Sequence, residues 1–545
     1  MKKMIVVALS VILVMSALCL SPSGSAGANT WDGVSVSNSL GGSGTAADPY
    51  LITSGADLAL LRREINAGNV LYSAAYYKQT ADIDLSGYAV EPIGPTNAAG
   101  SFFCGIYNGD GHKILNYVVN TDAKYAGLFG YVEGAYFDKL RVDNASVSSC
   151  SGESSSAVGV MIGYINTNTS VEGCETGANC YAESINVARV GGLIGWNYSS
   201  IIKNCINRAT VVYSGSSTTY AGGITSTLGK DGGLIESCIN IGTVLCQSSS
   251  ASDKILIGGI SGLVGGSSGS CEVKDCYNMG TIANLCDISA TDVGVGGITG
   301  NNNKGQAKLY DCYNVGAVYT SSGQYNAGKN HVGSVFGYTT EGKPDTSTCC
   351  YSLTQTGVPA QGAGSIDSIS LVGSLTDTVT KSTGGSVKFS DALAEVDAAV
   401  ANALGVVCDW SKTSYNLESA EVEISIATEL QQKHIAIIEN APNEGEAKSD
   451  DTTAPTTTDA GQTEPDTTSP STGDTANNTE PTTEPGTNSP STGDNADDVT
   501  GGETTDSGGK SGKGCRSSFG AGAGLAVALV AAARAVTRRR RYGLK

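Results

Sequence analysis

The side chains that could do chemistry are few, and most are acidic. Asp82 and Asp84 are the tightest pair, and strand alternation along Asp82-Ile83-Asp84 sends both to one face. Paired carboxylates serve glycoside hydrolysis, and clustered ones hold Ca²⁺ for the cleavage of acidic polysaccharides. A framework role is the competing reading for this pair. Asp275 and Asp311 hold equivalent places in two repeats, each at a turn, where a stacked acidic pair could bind Ca²⁺ or simply be solvated. Tyr277 and Tyr313 share one register and read as exposed rings on which a sugar could stack, or as packing for a corner. The three histidines (His112, His331, His434) lie far apart, and neither His-Glu-x-x-His nor Cys-x-x-Cys occurs, so zinc chemistry is not expected. No nucleophile–base set, phosphate loop or nucleotide fingerprint is present. The expectation is a protein that is not an enzyme and uses no catalytic residue, cofactor or metal.

What must position these residues is a repeat. A Gly-flanked apolar box closes at Gly130, Gly163, Gly195, Ser226, Gly262, Gly300 and Gly337, a spacing of 31 to 38 residues. A second box follows the middle ones: Asn204-Cys205-Ile206-Asn207, Ser237-Cys238-Ile239-Asn240, Asp275-Cys276-Tyr277-Asn278 and Asp311-Cys312-Tyr313-Asn314. Gly242, Gly280 and Gly316 come two residues after the last three Asn. The boxes have strand length and are separated by Gly, Asn and Ser. One such unit cannot bury its apolar side chains, whereas stacked units can, through parallel strands carrying ladders of equivalent residues. A β-solenoid follows, with a propeller as the alternative. Cys205, Cys238, Cys276 and Cys312 occupy one ladder position, where parallel side-chain vectors suit a disulfide poorly. Cys246, Cys271 and Cys286 lie off the ladder and are better bridge candidates.

The Gly-Leu-x-Gly box with its trailing Asn-Cys-x-Asn-x-Gly strand resembles the GLUG repeat of bacterial surface proteins. Gly41-Gly42-Ser43-Gly44-Thr45, Asp48-Pro49-Tyr50-Leu51-Ile52, Asp82-Ile83-Asp84-Leu85, Pro92-Ile93-Gly94 and Gly109-Asp110-Gly111-His112-Lys113-Ile114 occur in that family's order. The resemblance covers roughly residues 40 to 350. It implies a right-handed parallel β-helix and a cell-surface role, with Asp82, Asp84 and His112 as framework residues. Some such repeats precede a zinc metalloprotease domain, but without His-Glu-x-x-His that activity is not inherited.

The ends read as addresses. Lys2 and Lys3, the apolar run Met4 to Leu20 and the small residues Ala26-Gly27-Ala28 make a signal peptide cut after Ala28. Phe519 to Thr537 is apolar apart from Arg534, long enough to span a membrane, and is followed by four arginines. With the Gly-rich run ending at Gly514 and Cys515, this tail resembles GlyGly-type sorting tails cut by a rhomboid-like membrane protease. An ordinary single-pass anchor is the alternative. Between fold and tail, Asn443 to Lys510 has 15 acidic residues against two Lys and almost no large apolar residue, so it cannot bury a core. The net charge of −19 argues against nucleic acid as a partner.

The expected protein is all-β: a right-handed parallel β-helix with small helical caps, a disordered stalk and a C-terminal transmembrane helix. Its divisions are a signal peptide (1–28), an N-terminal cap with the first coils (29–120), repeat coils (121–352), a C-terminal cap region (353–442), a stalk (443–513) and a sorting and transmembrane tail (514–545). Ser54 to Gly68 and Ser390 to Gly405 supply the cap helices, with Trp410 and alternating Val422, Ile424 and Ile426 as a closing strand. Its expected task is adhesion or ligand binding at the cell surface, anchored through the C-terminal helix. The expected partners are a surface glycan or host matrix protein, the membrane and a sorting protease. A polysaccharide-processing rod and a passive coat protein are the alternatives.

Overall fold

The computed structural model describes residues 29–446, apart from 99, 150, 152, 154, 186–188, 216–217, 230–231, 248–253, 266–269, 287–291, 304–306, 322–329, 340–346, 364–368 and 406–416. The signal segment with Ala28, the chain beyond 446 with Gly514 and Cys515, and Trp410 lie outside the described residues. Among the described residues no helix is long and apolar enough to cross a membrane. The segment Phe519 to Thr537 lies outside them.

One repeat makes one coil. In a typical coil Glu175–Thr176 joins a first sheet, Tyr181–Ser184 a third, Arg189–Gly191 a fourth and Ile194–Lys203 a second. The first sheet has 11 strands and the second 15, while the third and fourth have seven each. Every pairing between coils is parallel in the named strands of these four sheets. Gly159, Gly191, Gly222, Gly258, Gly296 and Gly333 stand in one ladder. Phe129, Ile162, Ile194, Thr225, Ser261, Thr299 and Phe336 form the next one along the chain. The repeat spacing is therefore the coil length, and the chain is a parallel β-solenoid, consistent with right-handed winding. Small residues close the corners because the backbones nearly touch. A Cβ on Gly195 would lie 2.4 Å from the Gly163 carbonyl oxygen, and one on Gly280 would lie 2.0 Å from that of Gly242.

The interior changes along the rod. Near the N-terminus it is filled by rings: Tyr77, Phe103, Tyr107, Phe129 and Phe137 are all fully buried. Further along it is filled by Ile, Val and a cysteine ladder that runs from Cys174 through Cys205, Cys238, Cys276 and Cys312 to Cys350. Beside the thiols runs a buried amide ladder. Asn207 Nδ2 donates to Asn240 Oδ1 (2.8 Å), Asn240 Nδ2 to Asn278 Oδ1 (2.7 Å) and Asn278 Nδ2 to Asn314 Oδ1 (2.8 Å). The second amide proton of Asn240, Asn278 and Asn314 goes to the carbonyl two residues on, at Gly242, Gly280 and Gly316. That explains the Asn-x-Gly spacing: the side chain must both donate and accept, and the glycine lets the chain turn within its reach.

Helix α1 (Gly55–Asn66) covers the N-terminal end. Ser54 Oγ accepts the Asp57 N–H, and Leu58, Leu61 and Ile65 face the core. A short helix α2 (Val70–Ser73) follows. The C-terminal region corrects the expectation of an end cap. Helix α3 (Phe389–Leu404) packs Phe389, Leu393, Val396, Val400 and Leu404 on Ile206, Ile239, Tyr277 and Tyr313, along the flank of the first sheet. Arg141 donates to the Leu404 carbonyl, 2.6 Å away, at its C-terminus. Val422, Ile424 and Ile426 do not form a strand but belong to helix α4 (Leu417–Asn440). Ala420, Ile424, Ala427, Gln431, His434 and Ile438 form its buried stripe, a helical period that the local alternation hides. This helix packs on Tyr181, Val212, Leu245 and Ala283 of the third sheet. The chain then pairs with the N-terminal region. Ala89 N–H donates to the Pro442 carbonyl, Glu444 N–H to that of Ala89 and Gly445 N–H to that of Gly33, while Glu444 meets Arg62.

Candidate functional site

The tyrosines expected to be exposed are covered. Tyr277 and Tyr313 do share a register, but both are fully buried beneath α3. Tyr277 Oη donates to Asp397 of that helix, and the Tyr313 ring meets Phe389 edge-on at 5.7 Å. They are the seat of the helix, not a platform for sugar. The outward position on the first sheet is apolar because a helix lies on it.

Asp275 and Asp311 are brought together at one edge of that flank. Both have positive φ (51° each), in line with Asn204, Ser237 and Cys349 at the same turn of other coils. Short polar side chains tolerate that conformation best. Asp311 is buried and accepts the Ser382 N–H (2.9 Å) and hydroxyl. Lys381 Nζ lies 3.8 Å from Asp275 and 2.5 Å from Glu395. The cation set against the expected calcium pair is thus an ammonium group. It comes from the hairpin Thr378–Thr380 and Ser386–Lys388. Together Lys274, Asp275, Tyr310, Asp311, Lys381 and Glu395 line a crevice of about 480 Å³. Burial is the largest influence on Asp275. Despite Lys381, it raises the carboxyl to about 6. A carboxyl that exchanges its proton near neutrality, beside a second carboxylate, can work as an acid or a base.

The N-terminal acidic pair has partners of its own. Asp82 Oδ1 accepts the Lys113 N–H (2.9 Å) and lies 3.4 Å from His112 Nδ1. Asp84 Oδ1 accepts from the Ser86 N–H and Asn116 Nδ2, each 2.7 Å away. These carboxylates hold turns between coils.

A second aromatic row lies on the second sheet, with Tyr131 and Tyr164 buried and Trp196 half-buried. Tyr131, Tyr164 and Trp196 are successive rungs on the outer face of the second sheet, with ring centroids 5.2 and 4.8 Å apart. Tyr125 stacks on Tyr164 from the fourth sheet (4.9 Å), and Phe102 and Tyr198 extend the cluster. The Arg189 guanidinium lies 3.7 Å from the centre of the Trp196 ring. This cluster is separate from the core, and Phe102, Trp196 and Tyr198 are half-buried. The sequence carries a signal for it: an aromatic follows the closing glycine in Gly130-Tyr131, Gly163-Tyr164, Gly195-Trp196 and Gly337-Tyr338. That position points outward because the residue after it is the inward one, as at Val132 and Ile165.

No family model matches the chain. A stretch of 178 residues, 30% of the chain, is 33% identical to halomucin of Haloquadratum walsbyi and covers 2% of that protein. Another of 93 residues, 17% of the chain, is 39% identical to a protein of Evansella cellulosilytica provisionally named a Gly-rich membrane protein, and covers 10% of it. The chain therefore matches only a small part of the length of either relative. Among solved structures, a protein of Bacteroides ovatus provisionally named an immunoglobulin A1 protease superposes with a TM-score of 0.43 at 23% identity, over 55% of this chain and 86% of that one. An IgA1 protease superposes with a TM-score of 0.37 at 15% identity, over 56% of this chain and 21% of that one. Both bear the name of an enzyme, and the expectation that this chain is not an enzyme is withdrawn. It rested on missing motifs, which exclude particular mechanisms and not catalysis as such.

Proposed function

We propose that the chain is an envelope-anchored, GLUG-type β-solenoid that binds an extracellular glycan along its aromatic corner. The observation that carries this is the group of half-buried rings Phe102, Trp196 and Tyr198 on the outer side of the second sheet, backed by the buried rings of Tyr131 and Tyr164, with Arg189 against Trp196. Aromatic rings offer apolar faces to the C–H faces of sugars, and several partly open rings grouped together suit a glycan. Support for a surface location comes from the N-terminal leader ending at Ala28 and the apolar tail after Gly514 and Cys515. The names of the two relatives, a halomucin and a Gly-rich membrane protein, agree with it. In this reading a sorting protease trims the tail and the acidic stalk holds the rod off the envelope.

The test is retention of the purified protein on immobilised polysaccharides and matrix proteins, compared with Trp196→Ala. Retention on a glycan that the substitution abolishes supports the reading. Retention on matrix protein alone, or equal retention of the variant, sinks it. Released sugar ends are recorded in the same experiment, because the crevice favours a second reading. Asp275, with its carboxyl raised to about 6, lines that crevice with Asp311 and Glu395, and carboxyls set together serve glycoside hydrolysis. Release that Asp275→Asn abolishes would establish that reading.

A further inference from the structure

We infer that Cys246 and Cys286 are joined by a disulfide in the exported protein, a covalent staple between neighbouring coils. Their Sγ atoms lie 3.0 Å apart, and both residues are buried. The ladder thiols differ from them in register and in aim. Ladder cysteines stand directly above one another, so the strand spacing of about 4.8 Å separates them. Their sulfurs also point at carbonyls of their own coil: Cys205 at Lys203 O (3.0 Å), Cys276 at Lys274 O (3.1 Å) and Cys312 at Tyr310 O (3.4 Å). Cys246, by contrast, stands opposite Asn284, and Cys286 lies two residues further on. The Cys286 N–H donates to Asn284 Oδ1 (3.1 Å), so the chain turns there and presents its sulfur to the coil below. Offset cysteines whose sulfurs converge suit disulfide geometry, whereas parallel ones suit it poorly.

The step balances as a thiol–disulfide exchange. An S–S bond forms between Cys246 and Cys286 as both S–H bonds break. Two electrons and two protons pass to a low-molecular-weight or protein disulfide outside the cytoplasm, which leaves as two thiols. The inference rests on the export reading above, since an oxidising compartment is where such a bond persists. Because the pair is buried, the finished bond is shielded, and reduction requires the coils to open.

The test uses the full chain in two settings. Protein recovered from its native cells is alkylated at harvest, then unfolded, digested and mapped by mass spectrometry, with surface labelling run in parallel. The expected result is one linked species holding the Cys246 and Cys286 peptides, lighter by two hydrogens than their sum, with the ladder thiols all alkylated after unfolding. Cys246→Ser should abolish that species without creating another. Reductant should cleave it only with denaturant present, lowering the unfolding midpoint by a few degrees. Separate alkylated Cys246 and Cys286 peptides from surface-labelled protein would overturn the inference. If labelling shows the protein inside the cell, the export reading fails and the bond is judged on purified protein refolded in oxidised glutathione. Absence of the linked species there would overturn it too.

Discussion

Two outward aromatic rows on the same rod meet different fates. Tyr277 and Tyr313 lie on the first sheet and are sealed under α3, whereas on the second sheet Tyr131 and Tyr164 are buried by neighbouring rings and Trp196, the last of that row, stays partly open to solvent. Nothing in the coil itself distinguishes them, since both are ladders of rings at equivalent repeat positions. The difference is made by chain that comes later and folds back over one flank. On a solenoid, a partly open ring is what remains after the returning segments have taken their seats.

The largest effect should come from uncovering the sealed row. Val396 is 1% exposed and faces Ile239 and the tyrosines, so Val396→Asp buries an unpaired carboxylate. We expect a loss of about 4 kcal/mol or release of the helix. Urea unfolding and dye binding to newly exposed apolar surface measure it, and an unperturbed variant would break the contrast between the rows. The second cover, α4, should respond to acid. His434 is buried against Ser146 and the Tyr181 ring beside Lys433, and burial lowers it to about 4. The unfolded chain takes up that proton first, so stability is full above about pH 6.5 and falls by about 3 kcal/mol toward pH 4. His434→Phe should flatten that slope in thermal melts across the range. Beneath the sealed row, Asn278→Ala takes one acceptor from Asn240 and one donor from Asn314, at a cost of about 2 kcal/mol by urea titration.

On the open row, Trp196→Ala should cost only about 1 kcal/mol yet remove glycan retention. If it unfolds the rod, that row is core and the comparison collapses. Smallest is the Asp275 carboxyl. Its folded value near 6 exceeds the ordinary 3.8, so the folded state holds the proton longer and stability rises as pH falls from about 6 to 4. The gain is about 1 kcal/mol after solvent screening, opposite in sign to His434, and Asp275→Asn should erase it.

The coil was legible in the sequence because a stacked unit must repeat its corner. The closing glycines fall one coil apart, and Ser54 marks the start of α1. The covers were not legible. α4 buries Gln431 and His434 on its core stripe, which blurs its helical period, and Val422, Ile424 and Ile426 then imitate a strand. Once the covers are missed, Tyr277 and Tyr313 are misread as exposed. The Asn-x-Gly spacing was visible, but its meaning lay in an amide of the next coil, 33 to 38 positions away. The ring after each closing glycine was visible as well, but it gains significance only when the surrounding flanks are known to be covered.

The pairing of Pro442 to Gly445 with Ala89 and Gly33 puts the last described residues beside the first ones. Traction applied beyond Glu446 would therefore not draw the coils apart from their far end. It would load the Glu444–Arg62 contact and three backbone bonds first, then strip α4 from its flank, with the stacked coils engaged last. Were the rod tethered through that end as proposed, the return segment would be a mechanical fuse, giving way before the coils carry any strain.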